Sequence, residues 1–185
     1  MNRRQRRRRA ILVRVALFGP LGGSLALGLV GLAISPVHRE ETTQIYQTSP
    51  ETIWGVLTDL DGMPAWRQDL VALERLPGPD GTVRWRETVS GRDPVTYQRT
   101  ESDPPARLVV QVTAPGPGPR RWEYRIRSVD LGTELAVTEE RSIGNPVLRP
   151  FVMLFGSDRD RIETFARELA DRLKGHRRIA AALNR

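Results

Sequence analysis

The chain lacks cysteine, and it has little of the other side chains that usually carry metal or nucleophilic chemistry. Without cysteine among its 185 residues it has no thiol nucleophile, no disulfide framework and no thiolate metal site. Its two histidines, His38 and His176, lie far apart in the sequence. A histidine metal centre or a Ser-His-Asp triad is therefore not expected. We predict neither a metal nor a cofactor.

Lysine is almost absent as well, since Lys174 is the only one, and no acidic residue precedes Glu40. Seven arginines lie within the first 14 residues, which leaves 22 basic residues to balance the 22 acidic ones. The formal charge of +7 therefore belongs to the N-terminus, and no extended basic face for nucleic acid is expected elsewhere.

Residues 15–34 carry no charge. Twenty helical residues at about 1.5 Å each span the roughly 30 Å hydrocarbon core of a bilayer. The sequence thus predicts a transmembrane helix over residues 15–35, preceded by an arginine-rich head over residues 1–14. The residues taken to mark the anchor are Val15, Leu21, Leu27 and Ile34.

Positive charge on one side of the span predicts its orientation. The topology signal is the run Arg6, Arg7, Arg8 and Arg9, which places the N-terminus in the cytoplasm and the domain outside it. A short linker over residues 36–40 would keep the domain close to the bilayer. Two alternatives remain open: a cleaved signal peptide followed by secretion, and a nucleic-acid-binding arginine arm.

Residues 41–143 contain seven segments with the composition and alternation of β-strands, separated by turns rich in Gly, Pro and Asp. Short turns between successive strands favour an antiparallel sheet. A short helix is predicted after the first strand, because Ser49, Pro50 and Glu51 form a typical helix start. The predicted strands are residues 41–46, 70–76, 82–89, 95–101, 107–113, 121–129 and 134–143.

Residues 157–174 predict a long amphipathic helix, with apolar residues at three- and four-residue steps. Ser157 is the predicted N-cap and Gly175 the predicted stop, so the domain covers residues 41–175 and a tail covers residues 176–185. The preceding apolar segment, residues 147–155, is either a lid, a membrane-dipping element or a core segment.

The segment Ser49-Pro-Glu-x-Ile-Trp54, followed by Leu57-Thr58-Asp59 and Pro64-x-Trp66, resembles the opening of START-like (SRPBCC) proteins of the polyketide cyclase/dehydrase type. The strand series and the last helix follow in the order of that family. The resemblance implies an α+β helix-grip fold, in which a seven-stranded antiparallel sheet wraps around a long C-terminal helix. It also implies an apolar ligand cavity between the two.

Alternation places several bulky and polar side chains on the concave face of such a sheet. One interpretation is that Glu87, Tyr97, Tyr124 and Glu139 orient a ligand, or that a carboxylate acts as a base. The other is that Glu87/Arg141 or Arg99/Glu139 are ion pairs at the sheet margins. The predicted cavity residues are Trp66, Trp85, Glu87, Tyr97, Trp122, Tyr124, Glu139, Phe165 and Leu169.

The sequence thus supports three hypotheses. The first is a membrane-tethered, non-catalytic module that binds a lipid or another hydrophobic small molecule, which requires an open cavity. The second is a cyclase- or dehydratase-like enzyme that uses the region of Glu87 and Tyr97. The third is an accessory interaction domain of a membrane protein assembly.

Overall fold

The computed structural model describes residues 27–115, 118–155 and 159–183. The chain divides into two compact units. One unit consists of Met1–His38 and Ile143–Ser157, and we call it the joint unit because two segments of the chain meet in it. The other, which we call the main unit, consists of Arg39–Ser142 and Asp158–Arg185.

The elements follow one another as a strand, a helix, six strands and two helices. The helices are α1 (Pro50–Thr58), α2 (Arg149–Phe155) and α3 (Arg159–Leu183). The strands are β1 (Val37–Tyr46), β2 (Leu70–Leu76), β3 (Arg84–Val89), β4 (Val95–Asp103), β5 (Arg107–Thr113), β6 (Arg120–Val129) and β7 (Gly132–Ser142).

The seven strands form one sheet in the order β1-β7-β6-β5-β4-β3-β2. Each successive pair from β2 to β7 is antiparallel, and β1 joins the sheet beside β7. From β2 to β7 consecutive strands are thus neighbours in space, as short connections require, whereas β1 and β2 lie at opposite edges of the sheet. The predicted seven-stranded antiparallel sheet is confirmed.

The α1 helix begins as its sequence predicts. The hydroxyl of Ser49 accepts a hydrogen bond from the backbone N–H of Thr52 at 3.3 Å, and Pro50 occupies the first turn. This cap satisfies one of the donors that a helix start leaves open. Ile53, Val56 and Leu57 are the buried residues of the helix.

The apolar stripe of α3 contributes to the core of the main unit. Ile162, Phe165, Leu169 and Leu173 belong to the same buried cluster as α1 and the inner face of the sheet. The backbone carbonyl of Ala166 in the same helix accepts a hydrogen bond from the hydroxyl of Tyr46 at 3.3 Å.

The end of α3 differs from the prediction. The helix runs to Leu183, so Gly175 does not stop it and much of the predicted tail is helical. Glycine inside a helix costs only about 1 kcal/mol relative to alanine, and the following HRRIAAAL contains good helix formers. The predicted N-cap, Ser157, lies outside the described residues.

The start of β1 also differs. It begins at Val37, so most of the predicted linker over residues 36–40 is strand. Only Val37 is apolar among residues 37–40, so this segment has no apolar alternation that would predict a strand. Hydrogen bonding beside β7 makes this segment extended.

In the joint unit, residues 27–33 are helical. Leu27 lies in this helical segment and Ile34 directly follows it, whereas Val15, Leu21 and the run Arg6, Arg7, Arg8 and Arg9 lie outside the described residues. Within the described ranges, no helix is both long and apolar enough to cross a bilayer.

Candidate functional site

A cavity lies inside the main unit between the sheet and its two helices. Four strands of the sheet supply most of its lining, and α1, α3 and the connection from α1 to β2 supply the rest. The lining residues are Leu57, Met63, Arg67, Trp85, Glu87, Tyr97, Leu108, Val110, Trp122, Tyr124 and Phe165.

Alternation along the strands selects the residues that reach this cavity. Trp85 and Glu87 are two apart on β3, and in the register Trp85 lies opposite Tyr97 on β4. On the neighbouring pair, Val110 of β5 lies opposite Trp122 of β6. Because side chains two apart share a face, the strands project one continuous group of residues inward.

The aromatic rings of the lining touch one another. Trp85 stacks on Tyr97 with ring centres 5.4 Å apart and planes 11° apart. Tyr124 lies between Trp122 and Phe165, at 6.2 and 6.1 Å respectively, with tilted rings. Such contacts hold the rings in fixed orientations, so the cavity presents aromatic surface with a defined geometry.

One buried ion pair interrupts this aromatic lining. Glu87 is only 3% exposed, and its Oε2 accepts a hydrogen bond from Nη1 of Arg67 at 2.8 Å. Its Oε1 accepts a second one from Nε1 of Trp85 at 2.9 Å. Both oxygens of the carboxylate therefore have a donor, as a buried charge requires.

Arg67 is the cation of the site and has several partners. Its Nη2 donates to both carboxylate oxygens of Asp69, at 3.2 and 3.3 Å, and its guanidinium carbon lies 5.9 Å from the ring centre of Phe165. Burial lowers the pKa of Arg67, but the charges of Glu87 and Asp69 and the nearby Tyr97 outweigh that effect and raise it. The side chain remains a cation at every physiological pH.

A second carboxylate approaches Arg67 from α3. Oε2 of Glu168 lies 4.0 Å from Nε of Arg67, and its Oε1 accepts a hydrogen bond from the backbone N–H of Gln68 at 3.2 Å. Burial raises the pKa of Glu168, and so does the charge of Asp69, against the opposing effects of Gln68 and Arg67. Three carboxylates, from Glu87, Asp69 and Glu168, thus surround one guanidinium.

The cavity is narrow. About 40 Å³ is open to the centres of water-sized molecules. On this measure one water needs about 10–15 Å³, so the space accommodates about three waters. The binding hypothesis required a roomier cavity, and a drug-sized molecule enters this one only when lining side chains move.

Six of the nine predicted cavity residues meet at this cavity, and three lie elsewhere. Trp66 packs on Phe165 with ring centres 5.9 Å apart and lines a separate surface cleft with Arg172. Leu169 is fully buried in the core. The six that line the cavity are Trp85, Glu87, Tyr97, Trp122, Tyr124 and Phe165.

The ion pairs are not the ones weighed in the sequence analysis. Glu87 pairs with Arg67, whereas buried Glu139 lies 3.5 Å from Arg141 on the same strand. Nε of Arg99 is buried without a hydrogen bond, and burial together with the charge of Arg75 lowers the pKa of Arg99.

Sequence reasoning missed Arg67. It lies in an irregular segment between a 3₁₀ turn (Met63–Ala65) and β2, where no periodicity assigns a side chain to a face. The available signal was its position directly after Trp66 in the Pro64-x-Trp66 segment. Among the described residues, no group of three or more His, Asp or Glu is placed to hold a metal ion.

Solved structures with the same fold include two aromatase/cyclases and a norcoclaurine synthase. The Zhui aromatase/cyclase from a Streptomyces species is 22% identical, with a TM-score of 0.63, and the match covers 79% of this chain and 98% of that one. A point mutant of norcoclaurine synthase from Thalictrum flavum, in complex with a transition-state analogue, is 12% identical, with a TM-score of 0.63. That match covers 76% of this chain and 96% of the synthase.

The di-domain aromatase/cyclase StfQ from the steffimycin biosynthetic pathway is 11% identical, with a TM-score of 0.63 over 76% of this chain and 52% of that one. At these identities the likeness concerns the fold alone. No protein among the curated sequences matches.

A family model described as polyketide cyclase/dehydrase and lipid transport matches residues 37–176. The match begins with β1 and ends within α3, so it contains the whole sheet and every residue of the cavity lining. The predicted START-like fold is thereby confirmed. The chain belongs to the polyketide cyclase/dehydrase and lipid transport family.

Proposed function

We propose that this protein is a membrane-tethered module that binds a hydrophobic small molecule or lipid in the cavity between the sheet and α3. The observation that carries the proposal is an aromatic cavity with a single buried ion pair, Arg67–Glu87, in its wall. Mostly apolar walls with a few placed polar groups are typical of small-molecule sites. The family description, which includes lipid transport, supports the same conclusion.

The lining favours a ligand with a flat ring and one polar group. The rings of Trp122, Tyr124 and Phe165 offer tilted aromatic surfaces against which a flat ring packs. Arg67 already lies at the cavity wall, and a ligand hydroxyl, carbonyl or carboxylate accepts a hydrogen bond from its guanidinium. A saturated chain without polar groups would gain nothing from the ion pair.

Binding requires the cavity to widen. Met63 lines it from a short 3₁₀ turn, and its unbranched side chain changes rotamer more readily than the packed rings do. The connection from Met63 to Arg67 is therefore the part of the wall that we expect to move.

The tether is the apolar run of residues 15–34 after the arginine-rich head. In this proposal it remains uncleaved, with the N-terminus in the cytoplasm and the domain outside, as the positive-inside rule predicts. A protease added to intact cells should digest the domain. Digestion only after lysis would overturn this orientation, and a soluble domain without the apolar segment would show that the segment is cleaved.

Ligand binding is tested by native mass spectrometry of the full-length protein in lipid nanodiscs. We expect the wild type to retain a small apolar molecule that Val110→Phe, which fills the cavity, loses. The matched control is Gln111→Phe on the same strand, because its side chain points to the opposite face. Equal retention by both variants, or no retained molecule in any of them, would contradict the proposal.

A second candidate is a cyclase- or dehydratase-like enzyme. It is favoured by the presence of a carboxylate, a phenol and a guanidinium, from Glu87, Tyr97 and Arg67, in one water-poor cavity. Against it, Glu87 is bound by Arg67 at 2.8 Å, whereas a base needs to be free to take a proton. If the protein is an enzyme, Glu87→Gln abolishes turnover while the ligand still binds.

A further inference from the structure

Exposed apolar side chains are concentrated in the joint unit. Leu32 is 67% exposed and Leu154 is 73% exposed, values expected of polar rather than aliphatic residues. In the described part of the main unit, the only comparable large hydrophobic residues are Ile45, Val71 and Leu131. In the part of the joint unit that the structure describes, the exposed large hydrophobic residues are Leu29, Val30, Leu32, Val37, Leu148, Phe151, Met153 and Leu154.

Arg149 joins the two segments of this unit. Its Nη1 donates to the carbonyls of Gly31 and Ile34 at 3.0 and 3.2 Å. Its Nε and Nη2 donate to the carbonyls of Ile143 and Gly144 at 3.0 and 3.2 Å. The carbonyls at a helix end have no partner within the helix, so this guanidinium caps residues 27–33 and binds them to the start of α2.

The backbones of the two segments are in direct contact. A Cβ built on Gly31 would lie 1.7 Å from the carbonyl oxygen of Pro146, a distance that no side chain tolerates. One helical turn earlier, a Cβ on Gly28 would be in ordinary contact with a methyl group of Val147, at 3.7 Å. Ile143 also donates its backbone N–H to the carbonyl of Pro36 at 2.7 Å. The contact is therefore a specific joint between the two segments.

The joint engages the charged side chain of α2. Arg149 is the only charged residue of α2, and its guanidinium is occupied by the four carbonyls. The remaining sequence, PFVMLF, has no charged group to offer to water or to a polar partner. The helical segment on the other side of the joint is the end of the uncharged run of residues 15–34.

We propose that the described part of the joint unit, residues 27–38 and 143–155, is seated in the membrane interface, with α2 as a second membrane-contacting element that Arg149 couples to the helical residues 27–33. The inference rests on the tether of the proposed function but not on ligand binding. A bilayer suits this surface because it is continuous in sequence with the apolar run that the tether inserts. Interfacial helices bury their apolar side chains about 5–10 Å into the boundary between headgroups and acyl chains.

The absence of cysteine allows a direct test, because a single introduced cysteine is the only labelling site. Met153→Cys and, as a control in the main unit, Leu131→Cys are each labelled with an environment-sensitive fluorophore. The full-length variants are reconstituted into phosphatidylcholine vesicles. We expect the probe at position 153 to be quenched by lipid-borne nitroxide and protected from aqueous iodide, and the probe at position 131 to behave in the opposite way.

Three failures are distinguishable. If an alkaline wash strips the protein from the vesicles, the tether is wrong and the inference falls with it. If the protein stays but both probes respond equally to iodide, only the seating of α2 is overturned. Protection of position 153 from both quenchers, together with a dimer, would assign the surface to a second copy and would also overturn the inference.

The role of Arg149 is tested in the same background. Arg149→Gln removes the fork of donors, and we expect the probe at position 153 to lose its protection from iodide. The matched variant is Arg39→Gln, whose exposed guanidinium pairs only locally with Glu41. Unchanged protection in Arg149→Gln would overturn the coupling that we assign to this residue.

Discussion

Arg67 is the residue on which the polar wall of the cavity depends. Its guanidinium is bound to Glu87 inside and to Asp69 beside it, and its side chain is only 10% exposed. Breaking such a pair from one side leaves an uncompensated buried charge, which is far more costly than removing both partners. The Arg67–Glu87 pair should therefore affect the stability of the fold whether or not a ligand is bound.

Arg67→Met should lower the free energy of unfolding by about 3–5 kcal/mol. Arg67→Met combined with Glu87→Gln should cost less than Arg67→Met alone, because the most deeply buried of the three carboxylates around Arg67 is then replaced by a neutral amide. Guanidinium unfolding of the full-length protein in mild detergent, followed by tryptophan fluorescence, measures both. The control is Arg75→Met, which should change stability much less, because its pair with Asp61 is exposed to solvent.

The buried phenol of Tyr46 should make the stability of the fold depend on pH. Burial raises its pKa from 10.0 to about 12, and its hydroxyl lies 3.0 Å from Oε1 of Gln44. The folded state therefore keeps the proton more tightly than the unfolded chain. The contribution of Tyr46 to stability is complete below pH 10 and is lost as pH rises towards 12. Unfolding curves across this range should show a steeper loss for the wild type than for Tyr46→Phe. Identical slopes would contradict the burial of this phenol.

At the scale of the elements, strands were more predictable than their ends. The predicted bounds of β2 and β5 coincide with the structure, because a Pro-Gly cluster follows β2 and Pro-Pro and Pro-Gly clusters lie on the two sides of β5. The start of β1 and the end of α3 were wrong, because hydrogen bonding beside β7 and local helix propensity decided them. Neither effect leaves an apolar period in the sequence.

The hairpin between β6 and β7 should be sensitive to substitution at Gly132. Gly132 has φ = +132°, and a Cβ there would lie 2.3 Å from the carbonyl oxygen of Tyr46. Gly132→Ala must therefore strain the backbone and also displace the end of β1. We expect a loss of at least about 2 kcal/mol in unfolding free energy.

The comparison variant is Gly91→Ala. Gly91 also has a positive φ, of 71°, but a Cβ there would meet nothing within 4 Å. It should lose only about 1 kcal/mol, the cost of the left-handed conformation itself. If Gly132→Ala were no worse than Gly91→Ala, the close approach of β1 to this hairpin would be wrong.

At the scale of the whole molecule, the fold could be predicted from the order of the helices and strands along the chain, and the site only in part. The strand series, the short helix and the last helix appear in the sequence in the order of the START-like family, so the aromatic lining followed from period-two alternation. The position of Arg67 in the cavity wall could not be predicted in this way, because Arg67 lies in a connection whose side-chain directions are set by tertiary packing. The joint around Arg149 was equally hidden, because its partners are backbone carbonyls.

The central claim is that a flat apolar molecule binds in the aromatic cavity, and the four tryptophans can report it. Trp85 and Trp122 line the cavity, whereas Trp54 and Trp66 do not. Fluorine NMR of the full-length protein labelled with fluorotryptophan and titrated with a naphthol thus follows the cavity and its surroundings in one experiment. We predict saturable shifts of the Trp85 and Trp122 resonances, with that of Trp54 unchanged and the affinity reduced in Arg67→Met. Resonances that all stay in place, or that all move together without saturation, would contradict the claim.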